Sequence, residues 1–379
     1  MKIGILTLPQ EMNYGGILQA FALQKVLRDM GHDVYTIDRH NRREYPSFKA
    51  NVLGFGKRLK EYYIDHQDVS ICWNPFMSDD VYRKISSKTR DFVSRNMQMT
   101  RECWSDELEA IESEYLFDAY VVGSDQIWLP GYYPNSFLDF VKRPDVIKMV
   151  YAASCGQHSF VEHPLASKTA RGLAAEFSGI SVRESALTRV SQEVLGVKAV
   201  HVLDPTMLLT PEDYLAASSS IVESEPIVFS YILDKNKEKQ QLVEFVSQTV
   251  GRPAVSVNVP KGYVKRKDIN VDECVYPPVD DWINNLYRAE YVVTDSFHGT
   301  AFSILFGKQF VVVGNKRRGM ERFKSILKLF GLEERLVLDY SQVAIESIIS
   351  KTIDYEMVNE KLEEMRIISK SFIQNNLTK

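Results

Sequence analysis

Short apolar segments alternate with longer segments of helical periodicity along most of this 379-residue chain. Such alternation is typical of a parallel β-sheet with helices on both faces, because a parallel crossover needs a dozen or more residues. The predicted strands are 2–8, 33–38, 116–123, 148–154, 179–183 and 199–203 in a first series, and 227–233, 254–259, 291–293 and 309–313 in a second. The chain is therefore predicted to have an α/β fold with two Rossmann-like sheets.

The residues Asp204-Pro205-Thr206 interrupt this alternation, and the chain is longer than one hydrophobic core usually serves. We predict an N-terminal Rossmann-like domain over 1–205 and a C-terminal one over 206–379, facing each other across a cleft. The second domain includes a long amphipathic helix over 355–377 that could pack on either half. Residues 39–100 show no clear periodicity and are predicted to form helices and loops over the first domain.

Composition excludes several classes of protein. A net charge of -4 gives no overall field for nucleic acid, although Lys316-Arg317-Arg318 is a local basic patch. The four cysteines lack C-x-x-C spacing, which predicts reduced core thiols rather than a zinc site or a disulfide framework. The apolar run at Met1–Leu6 is too short for a signal peptide or a membrane span, so a cytoplasmic location is predicted.

The segment 291–307 gives the strongest functional signal. Its pattern predicts a strand, a tight turn that contains His298 and Gly299, and a helix that ends near Gly307. A helix that begins at the carboxyl end of a strand directs free N–H groups and the positive end of its dipole into the ligand crevice, which suits an anion. Histidine adds a proton carrier near neutral pH. Alternatively, His298 only hydrogen-bonds a neighbour in the turn, but its setting favours the functional interpretation.

Three further polar clusters follow predicted strands of the first domain. Gly15 and Gly16 precede a helix predicted over 17–30 and either approach a ligand or form a plain tight turn; G-x-G-x-x-G is absent. Ser124, Asp125 and Gln126 could hydrogen-bond a sugar that packs on Trp128, unless Asp125 only caps a turn. Arg183 either pairs with Glu184 on the surface or enters the crevice as a fork for a carboxylate or phosphate.

Together these segments resemble the polysaccharide pyruvyl transferase family. The matching pieces, in the family's order, are Asn13-Tyr-Gly-Gly16 with Leu18–Gln24, Gly123-Ser-Asp-Gln-Ile-Trp128, Ile180-Ser-Val-Arg-Glu184, Asp204-Pro-Thr206, Thr294–Ser303 and Arg322-Phe323 before Gly331-Leu332. The resemblance implies a two-domain fold like that of GT-B glycosyltransferases. It also implies transfer of pyruvate from phosphoenolpyruvate onto two hydroxyls of a sugar, which forms a cyclic ketal.

The resemblance implies that His298 and Arg183 are the catalytic residues and that the donor lies in the interdomain cleft. Phosphoenolpyruvate has a carboxylate and a phosphate, so its site needs cations and backbone N–H donors. His298 would be the general acid or a phosphate ligand, and Arg183 would hold an anionic group of the donor. The predicted donor-binding set is Arg183, His298, Gly299, Thr300, Arg322 and Arg317. No metal or cofactor is required.

The acceptor is predicted to bind the first domain, through Asn13, Tyr14, Gly15, Gly16, Ser124, Asp125, Gln126 and Trp128. It would be a glycan or a lipid-linked oligosaccharide, and the latter could hold the protein peripherally at a membrane. Two other functions stay open. One is a GT-B nucleotide-sugar glycosyltransferase, because a fold does not fix the chemistry. The other is a non-catalytic glycan-binding relative, which intact His298 and Arg183 argue against.

Overall fold

The structure is a computed structural model. It describes residues 1–40, 48–64, 78–155, 167–219, 221, 224–257, 270–314, 319–338 and 340–378. The statements below on what is present or absent concern these residues.

Two parallel sheets organise the protein. The first has the order β2-β1-β5-β6-β7-β8, and its strands are β1 Lys2–Leu6, β2 Asp33–Thr36, β5 Ala119–Val122, β6 Ile147–Ala153, β7 Gly179–Val182 and β8 Ala199–His201. The second has the order β10-β9-β11-β12-β13, and its strands are β9 Ile227–Tyr231, β10 Ala254–Val255, β11 Ala289–Thr294, β12 Gln309–Val313 and β13 Leu336–Val337. A two-stranded parallel pair is formed by β3 Arg39–His40 and β4 Cys103–Trp104.

Helices connect these strands. They are α1 Tyr14–Asp29, α2 Phe48–Tyr63, α3 Asp79–Ile85, α4 Ser87–Asn96, α5 Leu108–Tyr115, α6 Lys168–Ala174, α7 Ala186–Val190, α8 Pro211–Ala217, α9 Lys237–Val250, α10 Val279–Arg288, α11 Phe297–Leu305, α12 Glu321–Leu329, α13 Gln342–Ile349 and α14 Tyr355–Asn376. The predicted α/β architecture of two sheets with a long C-terminal helix is confirmed.

Each sheet has one point of reversal, where successive strands stop being added on one side of a strand and continue on its other side. In the first sheet β2 lies on one side of β1 and β5 on the other; in the second sheet β10 and β11 flank β9 in the same way. Ligands of open α/β sheets bind beyond the carboxyl ends of the strands at such points. The residues that follow β1, β5, β9 and β11 are therefore the places where the fold favours a site.

Two helices begin earlier than predicted. The first, α1, begins at Tyr14 rather than near Ile17, because Asn13 occupies the N-cap position and Gly15 and Gly16 join the first turn. The second, α11, begins at Phe297 with Ser296 as its N-cap, and the Ser296 hydroxyl accepts a hydrogen bond from the Gly299 N–H at 3.4 Å. His298 and Gly15 are consequently first-turn helical residues rather than turn residues.

One hydrophobic cluster spans both halves of the chain. The Tyr214 and Phe302 rings lie 4.8 Å apart, and the Tyr14 hydroxyl donates a hydrogen bond to the Pro277 carbonyl at 2.9 Å. Such a continuous apolar interface holds the carboxyl ends of the two sheets towards each other. The helix α14 contributes its own apolar stripe to this cluster, namely Val358, Leu362, Met365, Phe372 and Ile373.

The last turns of α14 pack on the first sheet. The Ser369 hydroxyl accepts a hydrogen bond from the Leu203 N–H at 3.0 Å, and the Ser178 hydroxyl donates one to the Asn376 carbonyl at 2.8 Å. The prediction assigned this helix to the C-terminal domain, whereas its C-terminal half contacts the first sheet. The boundary at 205/206 stays a prediction from the sequence.

Three of the four cysteines, Cys103, Cys155 and Cys274, are buried thiols, as predicted. Cys72 lies outside the described residues. No helix in the described part of the chain combines the length and the apolar character needed to cross a bilayer.

Candidate active site

The N-termini of α1 and α11 meet at the points of reversal of the two sheets. A Cβ atom built on Gly15 would lie 2.1 Å from His298 Nδ1, so only glycine allows this approach without a shift. The helix α1 begins without a side-chain cap, and both helices direct their positive dipole ends towards the space between the halves. The first turn of α1 therefore lies directly against His298, a contact that the sequence did not predict.

The loop before α11 fixes the position of His298. Asp295 is buried, and its carboxylate accepts hydrogen bonds from Lys239 Nζ at 2.6 Å and from the Leu233 N–H at 2.6 Å. The Thr294 hydroxyl donates to the Tyr231 carbonyl at 2.8 Å and accepts from the Ser296 N–H at 3.0 Å. These bonds join the ends of β9 and β11, so the polar residues before His298 serve mainly to hold the helix start in place.

Gly299 and Thr300 complete the first turn of α11. A Cβ atom on Gly299 would lie 2.2 Å from Thr294 Oγ1, so this glycine lets the turn pack directly on the end of β11. The Thr300 hydroxyl donates to the Ser296 carbonyl at 3.0 Å. The described contacts of both residues are thus structural, and their predicted contact with the donor stays a prediction.

Arg183 follows β7 and lies at the centre of a buried ion cluster. Its Nη1 donates to Asp204 Oδ2 at 2.7 Å, its Nη2 to Asp125 Oδ1 at 3.0 Å, and its Nε lies 3.5 Å from Glu184 Oε1. The side chain is 1% exposed, which excludes the alternative of a surface pair with Glu184; Glu184 belongs to the buried network instead. Across the cleft, the guanidinium carbon lies 4.1 Å from the centre of the Phe297 ring.

The carboxylates around Arg183 have their own supports. Asp204 Oδ2 accepts from the Ser124 hydroxyl at 2.8 Å, and Asp204 Oδ1 accepts from the Thr206 hydroxyl at 2.7 Å. The Ser154 hydroxyl donates to Glu184 Oε1 at 2.7 Å. Asp125 has a φ of 69°, a left-handed conformation that costs free energy in a non-glycine residue and that is concentrated at functional sites.

His298 lies at the edge of this cluster. Its Nε2 is 3.8 Å from Asp204 Oδ2 and has no hydrogen-bond partner among the described residues, although the side chain is only 8% exposed. Arg183 and His298 therefore share one carboxylate, and the two residues predicted to be catalytic are brought to one site. A buried ring nitrogen without a partner is costly, which favours a ligand that supplies one.

Burial and charge set the protonation states of the site. Burial lowers the pKa of His298; the Asp204 and Asp125 carboxylates oppose this effect, while the Arg183 and Arg322 charges add to it. Burial alone would raise the pKa of Asp204, but the Arg183 charge and the hydrogen bonds from Arg183 and Thr206 hold it below its usual value. Burial raises the pKa of Glu184. Without a bound anion His298 is therefore neutral near pH 7, while Asp204 is ionised.

The other predicted donor residues differ in their placement. Arg322 lies in the first turn of α12 and is 8% exposed, and its charge influences the pKa values of Asp125, Glu184 and His298. This α-helix also reaches the first half, since the Ser325 hydroxyl accepts a hydrogen bond from the Ser185 N–H at 3.0 Å. Arg317, with Lys316 and Arg318, lies outside the described residues.

The predicted acceptor residues are dispersed. Asn13 is exposed, and its Nδ2 lies 3.4 Å from Asp125 Oδ2, while Gln126 is half-buried beside it in sequence. Tyr14 packs between the halves, and Ser124 is fully buried with its hydroxyl bonded to Asp204 and to the Ala152 carbonyl. Asn13 and Gln126 are the members of the set that are not buried.

Trp128 differs from its predicted role. Its ring is 2% exposed and stacks on Phe137 with the ring centres 6.0 Å apart, within the core of the first domain. The ring therefore packs in the interior, where it offers no exposed face to a sugar. The run Ile127-Trp128 after the polar cluster is better explained as an apolar anchor for the loop that holds Asp125.

Sequence reasoning missed Asp204 and Phe297 as site residues. The motif Asp204-Pro205-Thr206 was interpreted as a domain boundary, yet its carboxylate contacts Arg183 and lies near His298. The sequence pattern indicated no role for Phe297, yet its ring covers the Arg183 guanidinium. A buried aspartate directly after a strand, in the same family motif set as the arginine, was the signal available for Asp204.

Within the described ranges, one group of residues has the composition and geometry to hold a metal ion, namely Asp38, His40 and Glu102. His40 already lies 2.7 Å from Glu11 Oε1 and 3.2 Å from Asp38 Oδ1, and Arg90 donates to Asp38 at 2.6 Å. Despite partial burial, these carboxylates raise the pKa of His40 to about 9. A protonated histidine is not a metal ligand, so this group is an ion-pair network.

The fold and the site together define a GT-B-like α/β protein with a buried histidine at a cleft between two sheets. Comparison with known proteins identifies its family. The family model named polysaccharide pyruvyl transferase matches residues 13–317. The chain belongs to the polysaccharide pyruvyl transferase family, a family of transferases in polysaccharide biosynthesis.

Solved structures support the fold. A UDP-GlcNAc 2-epimerase from Neisseria meningitidis, bound to UDP-GlcNAc, has a TM-score of 0.53 and 10% sequence identity, and the match covers 100% of this chain and 99% of that chain. The UDP-GlcNAc 2-epimerase from Methanocaldococcus jannaschii has a TM-score of 0.53 and 13% identity over 93% of each chain. At such identities the likeness shows the fold alone. No curated protein matches the sequence.

Proposed function

We propose that this protein transfers the pyruvyl group of phosphoenolpyruvate onto two hydroxyls of one sugar in a polysaccharide or its lipid-linked precursor. The product is a cyclic pyruvate ketal, and inorganic phosphate is released. Membership of the polysaccharide pyruvyl transferase family supports the reaction class. Phosphoenolpyruvate as the donor and ketal formation are the parts that we propose.

The single observation that supports this chemistry best is the buried position of the His298 ring. The reaction needs a group that can hold and release a proton in a site closed to bulk water. His298 is buried, and its Nε2 has no hydrogen-bond partner among the residues that the structure describes. Burial keeps the empty-site pKa of His298 low. A bound donor with a carboxylate and a phosphate adds negative charge next to the ring, which raises that pKa. Donor binding therefore loads His298 with the proton that the next step uses.

The donor's negative charge needs compensation. The N-terminal N–H groups of α1 and α11 and the buried Arg322 supply positive potential on both sides of the cleft. Arg183 contributes less free charge than predicted, because both terminal nitrogens are already paired with Asp204 and Asp125. We assign Arg183 primarily a positioning role, and a direct bond to the donor requires one carboxylate to release a nitrogen. The scheme needs no metal or cofactor.

The steps balance without a further reactant. His298 donates its proton to the methylene carbon of phosphoenolpyruvate, and the first sugar hydroxyl attacks the adjacent carbon and loses its proton to the ring. The bond between that carbon and the phosphate oxygen then breaks, and phosphate leaves. The second hydroxyl attacks the same carbon and closes the ketal ring. Its proton is transferred to the released phosphate. One positioned acid–base group of this kind contributes about 10²–10⁴-fold in rate.

The experiment that tests the proposal measures phosphate release from phosphoenolpyruvate with a panel of synthetic and lipid-linked glycosides. The expected result is phosphate release with at least one acceptor, together with a product whose mass equals acceptor plus pyruvic acid minus water. Isothermal titration with phosphoenolpyruvate and with nucleotide sugars runs in parallel. Binding and turnover of a nucleotide sugar instead would support a glycosyltransferase. Binding of a glycan without any turnover would support a non-catalytic glycan-binding protein.

A further inference from the structure

The helix α2 presents an apolar face to solvent. Most of its large apolar residues recur at alternating intervals of four and three, as Phe48, Val52, Phe55, Leu59 and Tyr62, with Tyr63 beside the last. Leu53, 66% exposed, lies outside this stripe. At 100° per residue these side chains fall within an arc of about 100°. Phe48 is 76% exposed, Tyr63 65%, Tyr62 46% and Val52 44%.

In α14 the same spacing of apolar residues gives a buried face instead of an exposed one. There Val358, Leu362, Met365 and Phe372 are buried in the main hydrophobic cluster. Val52, Tyr62 and Tyr63 of α2 belong to none of the three hydrophobic clusters formed by the described residues. Monomeric proteins rarely expose a contiguous apolar face of this kind unless it binds something.

Charge indicates what the face binds. The helix contains Lys49, Lys57, Arg58 and Lys60 against one acidic residue, Glu61, whereas the whole chain has a net charge of -4. Lys49 and Lys60 lie at one border of the apolar arc, and Lys57 lies further round the polar face; all three are exposed. Basic residues on the polar side of an exposed aromatic and aliphatic face are typical of helices that lie in the interface of an anionic bilayer.

We propose that α2 is a membrane-binding helix whose apolar face enters the headgroup region of a bilayer that contains anionic lipid. With 16 residues it is about 24 Å long and charged, which is too short and too polar to span a bilayer. It therefore lies parallel to the surface, with the lysine stems extended towards the lipid phosphates. The proposal does not depend on the pyruvyl-transfer chemistry.

The test is co-sedimentation of the full chain with vesicles of phosphatidylcholine alone and with vesicles in which a quarter of the lipid is phosphatidylglycerol. The expected result is binding to the anionic vesicles that weakens at high salt. Lys57→Gln with Lys60→Gln should weaken binding by about five-fold per lysine. Val52→Glu with Tyr63→Glu should abolish it. The matched control is Val343→Glu on α13, where the side chain is 78% exposed, and it should keep most of the binding.

A second measurement does not rely on the charge variants. In Tyr63→Trp the new indole should shift its emission to shorter wavelength when anionic vesicles are added. Absence of binding to anionic vesicles would overturn the proposal, as would full binding by the Val52→Glu, Tyr63→Glu protein with an unchanged melting temperature. Self-association of the wild type that this double variant abolishes, without vesicle binding, would assign the face to a second copy of the chain instead.

Discussion

Arg183 and His298 are both buried at the same carboxylate, yet they differ in how completely they are paired. The two terminal nitrogens of Arg183 donate hydrogen bonds to Asp204 and Asp125, and the Phe297 ring lies against the face of the guanidinium. His298 has an Nε2 that lies 3.8 Å from Asp204 and has no hydrogen-bond partner in the described part of the chain. Two carboxylates and an aromatic ring hold the Arg183 guanidinium, whereas none of the described residues pairs with Nε2 of His298.

The difference separates positioning from chemistry. A guanidinium fixed by buried carboxylates cannot change partners without a large cost, because each released carboxylate would be left unpaired. A neutral histidine with an open nitrogen can accept a ligand and a proton with little rearrangement. We therefore expect substitutions of Arg183 to act first on stability and substitutions of His298 to act first on turnover.

The largest expected effect is that of Arg183→Met on stability. Removal of the guanidinium leaves Asp204 and Asp125 buried without their cation, which should lower the free energy of unfolding by about 3–5 kcal/mol. Urea denaturation measures this change in the free energy of unfolding. The control is Arg189→Met, which breaks an exposed pair with Glu193 and should cost at most about 1 kcal/mol. An Arg183→Met protein of normal stability that no longer binds phosphoenolpyruvate would instead make Arg183 a donor ligand.

His298→Asn should lower turnover by roughly 10² or more, because asparagine keeps a polar side chain but cannot transfer a proton near neutral pH. The melting temperature should change little, since the Nε2 that is lost has no partner in the described structure. Phosphate release and thermal unfolding measure the two effects. His32→Asn, at a half-buried histidine far along the chain from the site, is the control and should retain turnover. Near-native turnover by His298→Asn would remove the ring from the mechanism.

Gly15→Ala should lower turnover by roughly ten-fold, because the added Cβ would lie 2.1 Å from His298 Nδ1 and the ring or α1 must move. The matched control is Gly172→Ala in α6, where an added Cβ meets no atom within 4 Å. Its turnover should match that of the wild type, and its stability should rise by up to about 1 kcal/mol, because alanine is the better helix former. If Gly15→Ala had full activity, the contact between α1 and the ring would not matter for catalysis.

Much of this site was predictable from the sequence, and the misses have physical reasons. The strand and helix order follows from periodicity, and His298 could be placed between a strand and a helix, in the predicted turn, because Thr294, Asp295 and Ser296 separate an apolar strand from an apolar stripe. The partners of Arg183 could not be predicted, since Asp125 and Asp204 are 58 and 21 residues away in sequence. Local patterns do not encode which strand ends meet.

Burial was the other source of error. Trp128 follows polar residues and was expected to face the cleft, whereas its ring is 2% exposed in the core. The region 39–100 was described as lacking periodicity, although α2 has apolar residues at regular intervals of four and three. Gly54 and Gly56 lie between these residues, and glycine is a poor helix former, so the segment does not look helical at first sight. Even a recognised stripe would not have shown that α2 is exposed while α14 is buried.

The smallest expected effect is on the number of protons that the protein takes up when the donor binds. Burial lowers the pKa of His298, so the ring is neutral at pH 7.5 in the empty enzyme, and a bound anionic donor should raise that pKa and cause proton uptake. Titration calorimetry with phosphoenolpyruvate in two buffers of different ionisation enthalpy measures this uptake. His298→Asn should take up fewer protons, by at most one per donor, while the donor's own phosphate contributes equally in both proteins. Equal uptake in both would mean that donor binding leaves His298 neutral. The ring could then accept a hydrogen bond or a proton, but it would not be the acid that protonates the methylene carbon.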